Sequence, residues 1–195
     1  MINSKKFNFR MATENDARGI LKVYRPYVEE TTITFEYDVP TLEDFKKRIA
    51  HINEEYPYIV CEYEKKIVGY AYAHKYRERA AYKWNVELSV YVKEDFKGHS
   101  IGKKLYEKLM DILTLQNVKN VYGCVSSPNI NSEKLHLYFG FKKVGTFENT
   151  GYKFGKWLNT TWFEKSLSEK SFDPQPVKKI SEIEADLIDE ILNRQ

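Results

Sequence analysis

The amino-acid sequence predicts a single α/β domain in which a β-sheet lies between two layers of helices. Two observations predict this fold class. Segments rich in β-branched and aromatic residues alternate along the chain with four segments of helical periodicity, so strands and helices are interleaved. The chain has 195 residues, 42% hydrophobic and 15% aromatic, which is enough for one well-packed core.

The N-terminal half is predicted to contain a strand, two helices and a hairpin. The strand covers residues 7–11, the helices begin near Thr13 and Thr41, and the hairpin strands cover residues 58–63 and 67–73. We expect Pro26 to disturb the first helix, because its ring clashes with the preceding turn. Residues 31–36 either connect the two helices or line a pocket.

The C-terminal half is predicted to continue the alternation. A charged loop at 77–84 leads into a central strand at 86–92, followed by a helix from 101, a strand at 118–125, a helix at 131–139, and strands at 142–147 and 160–167. Gly140 is expected to end the second of these helices. We therefore predict one domain over residues 1–167, then a linker and amphipathic helix over residues 168–195 that packs on its own domain or on a partner subunit.

Composition excludes several classes of function. The net charge of +3 is small and its charges are interspersed, which argues against nucleic-acid binding. No apolar stretch is long enough to cross a membrane, and residues 1–6 do not resemble a signal peptide. Cys61 and Cys124 lie in predicted strands without a CxxC spacing, so we expect buried free thiols, no metal site and a cytoplasmic location.

Residues 86–105 combine a strand, a polar turn and the start of a helix. The first N–H groups of a helix have no partner within it and attract anions. Gly98, Ser100 and Gly102 are small enough for a phosphate to approach the backbone, and Lys97, Lys103 and Lys104 add positive charge. The glycine spacing alone is equally consistent with a tight turn, and it matches neither a Walker loop nor a dinucleotide fingerprint.

Residues 97–102 resemble motif A of the GNAT acyltransferases, whose pattern [Q/R]-x-x-G-x-[G/A] binds the pyrophosphate of acetyl-CoA. Lys97 replaces the usual Arg or Gln, and Ser100 replaces the usual Gly, although Ser resists a positive φ. The resemblance covers about residues 7–167. It implies the GNAT acyltransferase fold, a mixed, mostly antiparallel central sheet flanked by helices, here with an extra C-terminal helix.

Further stretches resemble the phosphinothricin acetyltransferase branch of that superfamily. They are residues 34–35, 56–58, 69–73, 79–82, 86–92, 135–136, 140–141 and 153–158. The resemblance implies acetyl-CoA as cofactor, transfer of its acetyl group to the α-amine of a small amino-acid-like acceptor, and a homodimer.

Glu87 is the predicted catalytic base. Acetyl transfer to an amine requires a group that removes a proton, and apolar neighbours raise a carboxyl pKa toward a useful range. The alternative from the residues alone is an ion pair with Arg77 or Arg79, and similarity to the branch favours catalysis. The resemblance implies that His136 occupies the position of the general acid, with Tyr138 as the alternative, although a lone helical histidine is more often structural.

The resemblance also implies the binding residues. The cofactor would contact Val90, Tyr91, Val92, Lys97, Gly98, His99, Ser100, Ile101, Gly102, Lys103 and Asn129. Asn129 is also suited to cap the helix that follows it. Arg77 and Arg79 are suited to hold the acceptor carboxylate, while Phe35, Glu36 and Tyr82 close the acceptor pocket.

Two alternatives to this function stay open from the sequence. One is an acetyltransferase for another acceptor, such as a polyamine, an antibiotic or a protein N-terminus. A polyamine pocket should be acidic, whereas the loop near Arg77 is basic. The other is a non-catalytic acyl-CoA-binding module whose terminal helix recruits a partner, and the presence of Glu87 argues against it.

Overall fold

The computed structural model describes residues 7–194, and its elements follow the predicted order. The strands are β1 (Asn8–Met11), β2 (Tyr58–Tyr63), β3 (Lys66–Lys75), β4 (Asn85–Val92), β5 (Asn120–Ser127), β6 (Lys142–Lys153) and β7 (Lys156–Ser166). The helices are α1 (Ala17–Glu30), α2 (Leu42–Asn53), α3 (Ile101–Leu115), α4 (Ile130–Tyr138) and α5 (Ala185–Asn193). Residues 1–6, to which the expectation of no signal peptide refers, lie outside the described range.

The strands form one seven-stranded sheet in the order β1-β2-β3-β4-β5-β7-β6. Every neighbouring pair is antiparallel except β4 and β5, which confirms the prediction of a mixed, mostly antiparallel sheet. The β4–β5 pairing runs only from Asn85 opposite Asn120 to Glu87 opposite Tyr122. Beyond Glu87 the two strands continue without pairing to each other, so a gap opens in the middle of the sheet.

Helices cover both faces of the sheet. On one face α1 and α2 pack over a cluster that includes Tyr58, Tyr70 and Tyr91. On the other face α3 and α5 pack over a cluster that includes Val86 and Leu88. Because side chains alternate along a strand, Glu87 points to the face that carries α1 and α2.

The predicted helix starts are confirmed, and Pro26, which was expected to disturb the first helix, lies within α1. The backbone N–H of Asp44 donates to the Thr41 hydroxyl at 3.1 Å, as a helix cap does. Helix α1 continues through Pro26 to Glu30 because Tyr27 and Val28, directly after the proline, are buried in the core. Tertiary packing therefore outweighs the local cost of proline at this position.

Strands β6 and β7 are longer than predicted. They form a hairpin closed by Phe154 and Gly155, both with positive φ, and the pairing shifts register between Phe147 and Gly151. The additional residues of β6 are mostly polar and exposed, so they lack the apolar alternation on which the sequence prediction relied.

The two cysteines are free thiols, as predicted, but only Cys61 is buried. Cys124 is exposed, and the expectation that it is buried is wrong. It lies on β5 beyond the last residue paired with β4, where the neighbouring strand has diverged. A strand pattern in the sequence gives no sign of such a gap.

The C-terminal segment packs on its own domain, which is one of the two predicted arrangements. Ile180, Ile188, Ile191 and Leu192 are buried in the same cluster as α3. The Gln116 side-chain amide donates to the carbonyls of Glu55 and Lys178, at 2.7 and 2.8 Å, and so fastens the linker. A domain boundary at residue 167 stays a prediction. Among residues 7–194, no helix is both long and apolar enough to cross a bilayer.

Candidate active site

Glu87 lies where β4 and β5 separate. By register it shares a sheet face with His74 on β3 and Tyr122 on β5. Burial raises the pKa of the Glu87 carboxyl, and His74 opposes part of that rise. Within residues 7–194, no ion pair joins Glu87 to Arg77, Arg79 or another cation. A desolvated, unpaired carboxyl suits proton acceptance better than a structural ion pair.

Glu36 reaches the same neighbourhood from the loop between α1 and α2. Burial raises the pKa of Tyr72 most strongly, and both Glu87 and Glu36 add to the rise, so Tyr72 lies near both carboxylates. Arg48 of α2 forms a hydrogen-bonded ion pair with Glu36 at 2.6 Å. The sheet face beside Glu87 is therefore bordered by an aromatic hydroxyl and an Arg–Glu pair, which are groups suited to a polar, charged acceptor.

The backbone of β4 beyond Glu87 faces the gap at alternate residues. The Lys93 N–H donates to the Val68 carbonyl of β3 at 2.8 Å, so the backbone groups of Val90 and Val92 point away from β3. At Val92 both groups contact the Tyr27 hydroxyl. That hydroxyl donates to the Val92 carbonyl at 2.5 Å and accepts from the Val92 N–H at 3.3 Å.

The loop before α3 has the backbone shape of an anion site. Gly98 has φ +82° and Ser100 has φ +60°, so Ser100 does adopt the left-handed conformation that serine resists. The first helical hydrogen bond joins the Lys104 N–H to the Ser100 carbonyl at 3.0 Å. The N–H groups of residues 101–103 therefore precede the helical ladder, and this arrangement fits a diphosphate.

Two lysines flank this loop. The Lys97 ammonium forms an ion pair with Glu94 and lies 5.6 Å from the centre of the Tyr27 ring. The Lys103 ammonium lies 3.6 Å from the centre of the Tyr138 ring on α4. Both charges are at the surface beside the loop, where they would add to the attraction of a phosphate group.

Three more predicted cofactor-binding residues, His99, Ile101 and Gly102, lie in this loop or at the start of α3. The His99 ring lies 3.1 Å from the Lys97 carbonyl and contacts the loop itself. The Ile101 side chain is buried in the core, so only its backbone faces the loop. A Cβ added at Gly102 would lie 3.7 Å from the Val92 side chain, an ordinary contact distance, so the space around Gly102 does not itself require glycine.

Asn129 caps α4, as its sequence position allowed. Its side-chain oxygen accepts from the Ser132 N–H at 3.2 Å. The side-chain amide NH2 takes no part in that bond, so it is the group of Asn129 that could donate to a cofactor.

His136 is enclosed rather than exposed to the gap. Its Nδ1–H donates to the Ser132 carbonyl at 2.8 Å, which leaves Nε2 to accept from the Tyr106 hydroxyl at 3.0 Å. The ring stacks on Phe163, with centres 5.1 Å apart, and a Cβ at Gly123 would lie 2.1 Å from Nε2. Burial lowers the pKa of His136, which favours the neutral ring. These contacts give His136 a structural role, and its predicted role as acid rests on the sequence.

The predicted acceptor residues form two groups. Phe35 and Glu36 lie on the loop between α1 and α2, and the Phe35 ring rests against Gly151. Arg77 stacks over Tyr76 and Tyr82, with its guanidinium 5.0 and 5.9 Å from the ring centres. In the described part of the chain, no hydrogen bond, ion pair or ring contact links one group to the other.

Sequence reasoning missed three residues that shape this region, Tyr27, Tyr106 and Lys153. Tyr27 and Tyr106 follow the apolar periodicity of α1 and α3 although each carries a hydroxyl, and that combination is the available signal. Lys153 lies in the mostly polar part of β6, which gives no such signal. A polar residue at a buried position needs hydrogen-bond partners, so such a position marks a specific contact.

Known proteins resemble this chain in sequence and in structure. The family described as Acetyltransferase (GNAT) domain matches residues 9–162. A phosphinothricin N-acetyltransferase of Streptomyces coelicolor is 34% identical over 171 residues, covering 86% of this chain and 100% of that protein. An L-methionine sulfoximine/L-methionine sulfone acetyltransferase of Pseudomonas aeruginosa is 30% identical, covering 82% of this chain and 94% of that protein. The crystal structure of a phosphinothricin acetyltransferase from Sinorhizobium meliloti in complex with acetyl-CoA matches with a TM-score of 0.82 and 31% identity, covering 88% of this chain and 94% of that chain.

Proposed function

The chain belongs to the GNAT family of acetyltransferases and uses acetyl-CoA, and we propose that it acetylates the α-amine of a small amino-acid-like acceptor. Phosphinothricin, methionine sulfone and methionine sulfoximine represent the acceptor class, since relatives that match most of this chain are named for them. The observation that carries the proposal is Glu87, a desolvated carboxyl that has no ion-pair partner among residues 7–194 and lies at the point where the sheet opens. Membership of an enzyme family argues against a non-catalytic module.

Glu87 acts as the general base in this proposal. Acetyl-CoA, when bound, would supply an acetyl thioester: the acceptor nitrogen would form a C–N bond to the acetyl carbon, the C–S bond would break, and CoA would leave as a thiolate that takes up one proton. The Glu87 carboxylate takes the proton that the nitrogen must lose, directly or through one water molecule. A raised pKa makes the carboxylate a stronger base than an exposed glutamate, so the Glu87 environment favours proton transfer.

The cofactor would be held by the loop before α3 and by the open edge of β4. The left-handed backbone at Gly98 and Ser100 and the N–H groups of residues 101–103 suit its diphosphate. The backbone groups of Val90 suit its amide-containing arm, because they point toward the gap. Those of Val92 point the same way and would become available once the Tyr27 hydroxyl is displaced. The amino group of Asn129 would add a donor from α4.

We propose a homodimer that joins the two groups of acceptor residues. The β6–β7 hairpin exposes Phe147, Phe154 and Trp157, with 60%, 57% and 62% of their surfaces accessible, and exposed aromatic side chains favour protein contact. A second copy would bring Arg77 and Tyr82 toward the Phe35 loop. Light scattering should give twice 23.1 kDa; a monomeric mass with full turnover would contradict this part of the proposal.

We also propose a cytoplasmic location. The free thiols of Cys61 and Cys124 are typical of a reducing compartment. Fractionation of cells that express the protein tests this location.

Thiol release from acetyl-CoA tests the proposed acceptor class. The panel should contain phosphinothricin, methionine sulfone, methionine sulfoximine, common amino acids, and putrescine and spermidine. We expect turnover with the amino-acid analogues and not with the polyamines, because an α-amino acid presents both an amine for Glu87 and a carboxylate for an arginine. Turnover confined to polyamines would contradict the proposed acceptor class.

A further inference from the structure

We infer that Lys153 is a positioning residue for the acceptor, because its buried ammonium fixes the loop that carries Phe35 and Glu36. The inference rests on the proposed function, which assigns that loop to the acceptor pocket. The relevant loop, called here the acceptor loop, consists of residues 31–41 between α1 and α2. Lys153 is the last residue of β6 and lies far from the loop in sequence.

Lys153 joins the end of α1 to the acceptor loop. Its side chain is almost inaccessible, with 1% of the residue exposed. The Nζ atom donates to the Val28 carbonyl at 2.7 Å and to the Thr34 carbonyl at 2.9 Å. Val28 is in the last turn of α1, where carbonyls have no helical partner. One ammonium therefore satisfies a helix terminus and holds the residue that directly precedes Phe35.

Two neighbours of Lys153 hold the same loop. A Cβ at Gly151 would lie 2.2 Å from the Phe35 ring, so the ring packs directly on the glycine backbone. The Tyr37 hydroxyl donates to the Tyr152 carbonyl. Three consecutive residues at the end of β6 thus contact the acceptor loop, and Lys153 provides the two buried hydrogen bonds among these contacts.

Loss of the Lys153 ammonium would weaken the attachment of the acceptor loop to β6. Burial lowers the pKa of Lys153, and Glu36 on the same loop opposes that effect. Removing the ammonium would leave two carbonyls without donors, which costs more than the loss of an exposed bond. The acceptor loop would then be free to move away from β6, and Glu36 would lose a nearby positive charge.

Lys108 provides a matched control on the other side of the molecule. It is also buried, with 5% exposed, and its Nζ donates to the carbonyls of Ile191 and Arg194 at 2.9 and 2.8 Å. Burial lowers its pKa as well. It fastens the end of α5 and has no contact with the acceptor loop, so its loss should affect stability without affecting acceptor binding.

The test compares Lys153→Met with Lys108→Met in the full-length protein. We expect both variants to lower the melting temperature, because each leaves two carbonyls without the ammonium that donates to them. Only Lys153→Met should raise the KM for the best acceptor, by about tenfold, while the KM for acetyl-CoA stays within about twofold. An acceptor KM that rises equally in both variants, or in neither, would overturn the inference.

Hydrogen–deuterium exchange of the acceptor loop separates this inference from the proposed function. Lys153→Met should speed exchange over residues 31–41, and Lys108→Met should not. This measurement needs no turnover. A wild-type protein that is inactive on the whole panel would refute the proposed acceptors. The exchange rates would still show whether Lys153 holds the acceptor loop. Unchanged exchange in Lys153→Met overturns the inference. If Lys153→Met does not fold, Gly151→Ala takes its place, because the added methyl group would displace the Phe35 ring. We expect Gly151→Ala to show the same rise in acceptor KM and the same faster exchange over residues 31–41. If it shows neither change, the inference is overturned.

Discussion

At the scale of single residues, the position of Glu87 determines its chemistry. Asn85, Val86 and Glu87 are paired with β5, and the next residues of β4 are not. Glu87 is thus held by backbone pairing on both sides, while its carboxyl lies beside an opening. A carboxyl one position earlier would point into the core under α3, because side chains alternate along a strand.

Substitution of His136 on α4 tests whether this histidine has a structural role or acts as the general acid. We expect His136→Asn to lower the melting temperature by about 5 °C, because the Tyr106 hydroxyl and the stack on Phe163 lose their partner. The kcat should fall by less than about tenfold. His51→Asn, an exposed histidine on α2, is the control. A large loss of kcat at unchanged melting temperature would instead favour the role as acid.

Tyr27 blocks the backbone groups of Val92 that the cofactor would use. Its hydroxyl contacts both the Val92 carbonyl and the Val92 N–H, so binding at Val92 must displace it. We expect Tyr27→Phe to tighten acetyl-CoA binding by about two- to tenfold, the equivalent of one hydrogen bond. Calorimetric titration measures the effect, with Tyr24→Phe as control because that hydroxyl bonds Thr34. Weaker binding by Tyr27→Phe would mean that the hydroxyl contacts the cofactor.

At the scale of elements, the proposed anion site of the β4–loop–α3 unit consists of backbone N–H groups rather than of many charged side chains. Ser100 adopts φ +60°, a conformation that glycine would adopt at lower cost. The packing of Ile101 under β3 fixes the start of α3 and so holds Ser100 in that conformation. A departure from the family pattern is therefore compatible with the loop shape.

Lys97 should contribute a modest, salt-dependent share of cofactor binding. We expect Lys97→Ala to raise the Kd for acetyl-CoA by about three- to tenfold at low salt, and by less at high salt, because the ammonium is exposed and already paired with Glu94. Lys65→Ala, in the turn between β2 and β3, is the matched control. Equal Kd values for Lys97→Ala and the wild type at low salt would exclude Lys97 from the site.

At the scale of the whole molecule, the C-terminal helix belongs to the core. Ile191 is buried against α3 and β1, whereas Leu187 of the same helix is 40% exposed. We expect Ile191→Ala to destabilise the protein by about 2–5 kcal/mol, and Leu187→Ala by clearly less. Chemical denaturation measures both. Equal effects would show that α5 does not pack against the core in solution.

Much of this architecture follows from the sequence, and the failures have local causes. Apolar periodicity and caps such as Thr41 locate the helices, because burial and capping act over a few residues. The sequence did not show that α1 continues through Pro26, that polar residues extend β6, or that Cys124 is exposed. Each of these depends on contacts with distant elements. Glu87 was predicted as the base because a carboxyl among apolar strand residues allows that role and the resemblance to the phosphinothricin branch favours it, whereas Lys153 was not predicted because its partners are distant backbone carbonyls.

The pH dependence of kcat/KM for the wild type and Glu87→Gln, measured on the best acceptor, tests the central claim most directly. In the wild type, activity should rise with pH as the acceptor amine loses its proton, and should fall more steeply below the raised pKa of Glu87, which lies above the ordinary value of 4.5. Glu87→Gln should lower kcat/KM by about 100-fold or more and keep only the slope of the amine. Glu169→Gln, an exposed residue of the linker, should match the wild type. A Glu87→Gln profile that retains wild-type activity and the steeper acid limb would show that Glu87 is not the base.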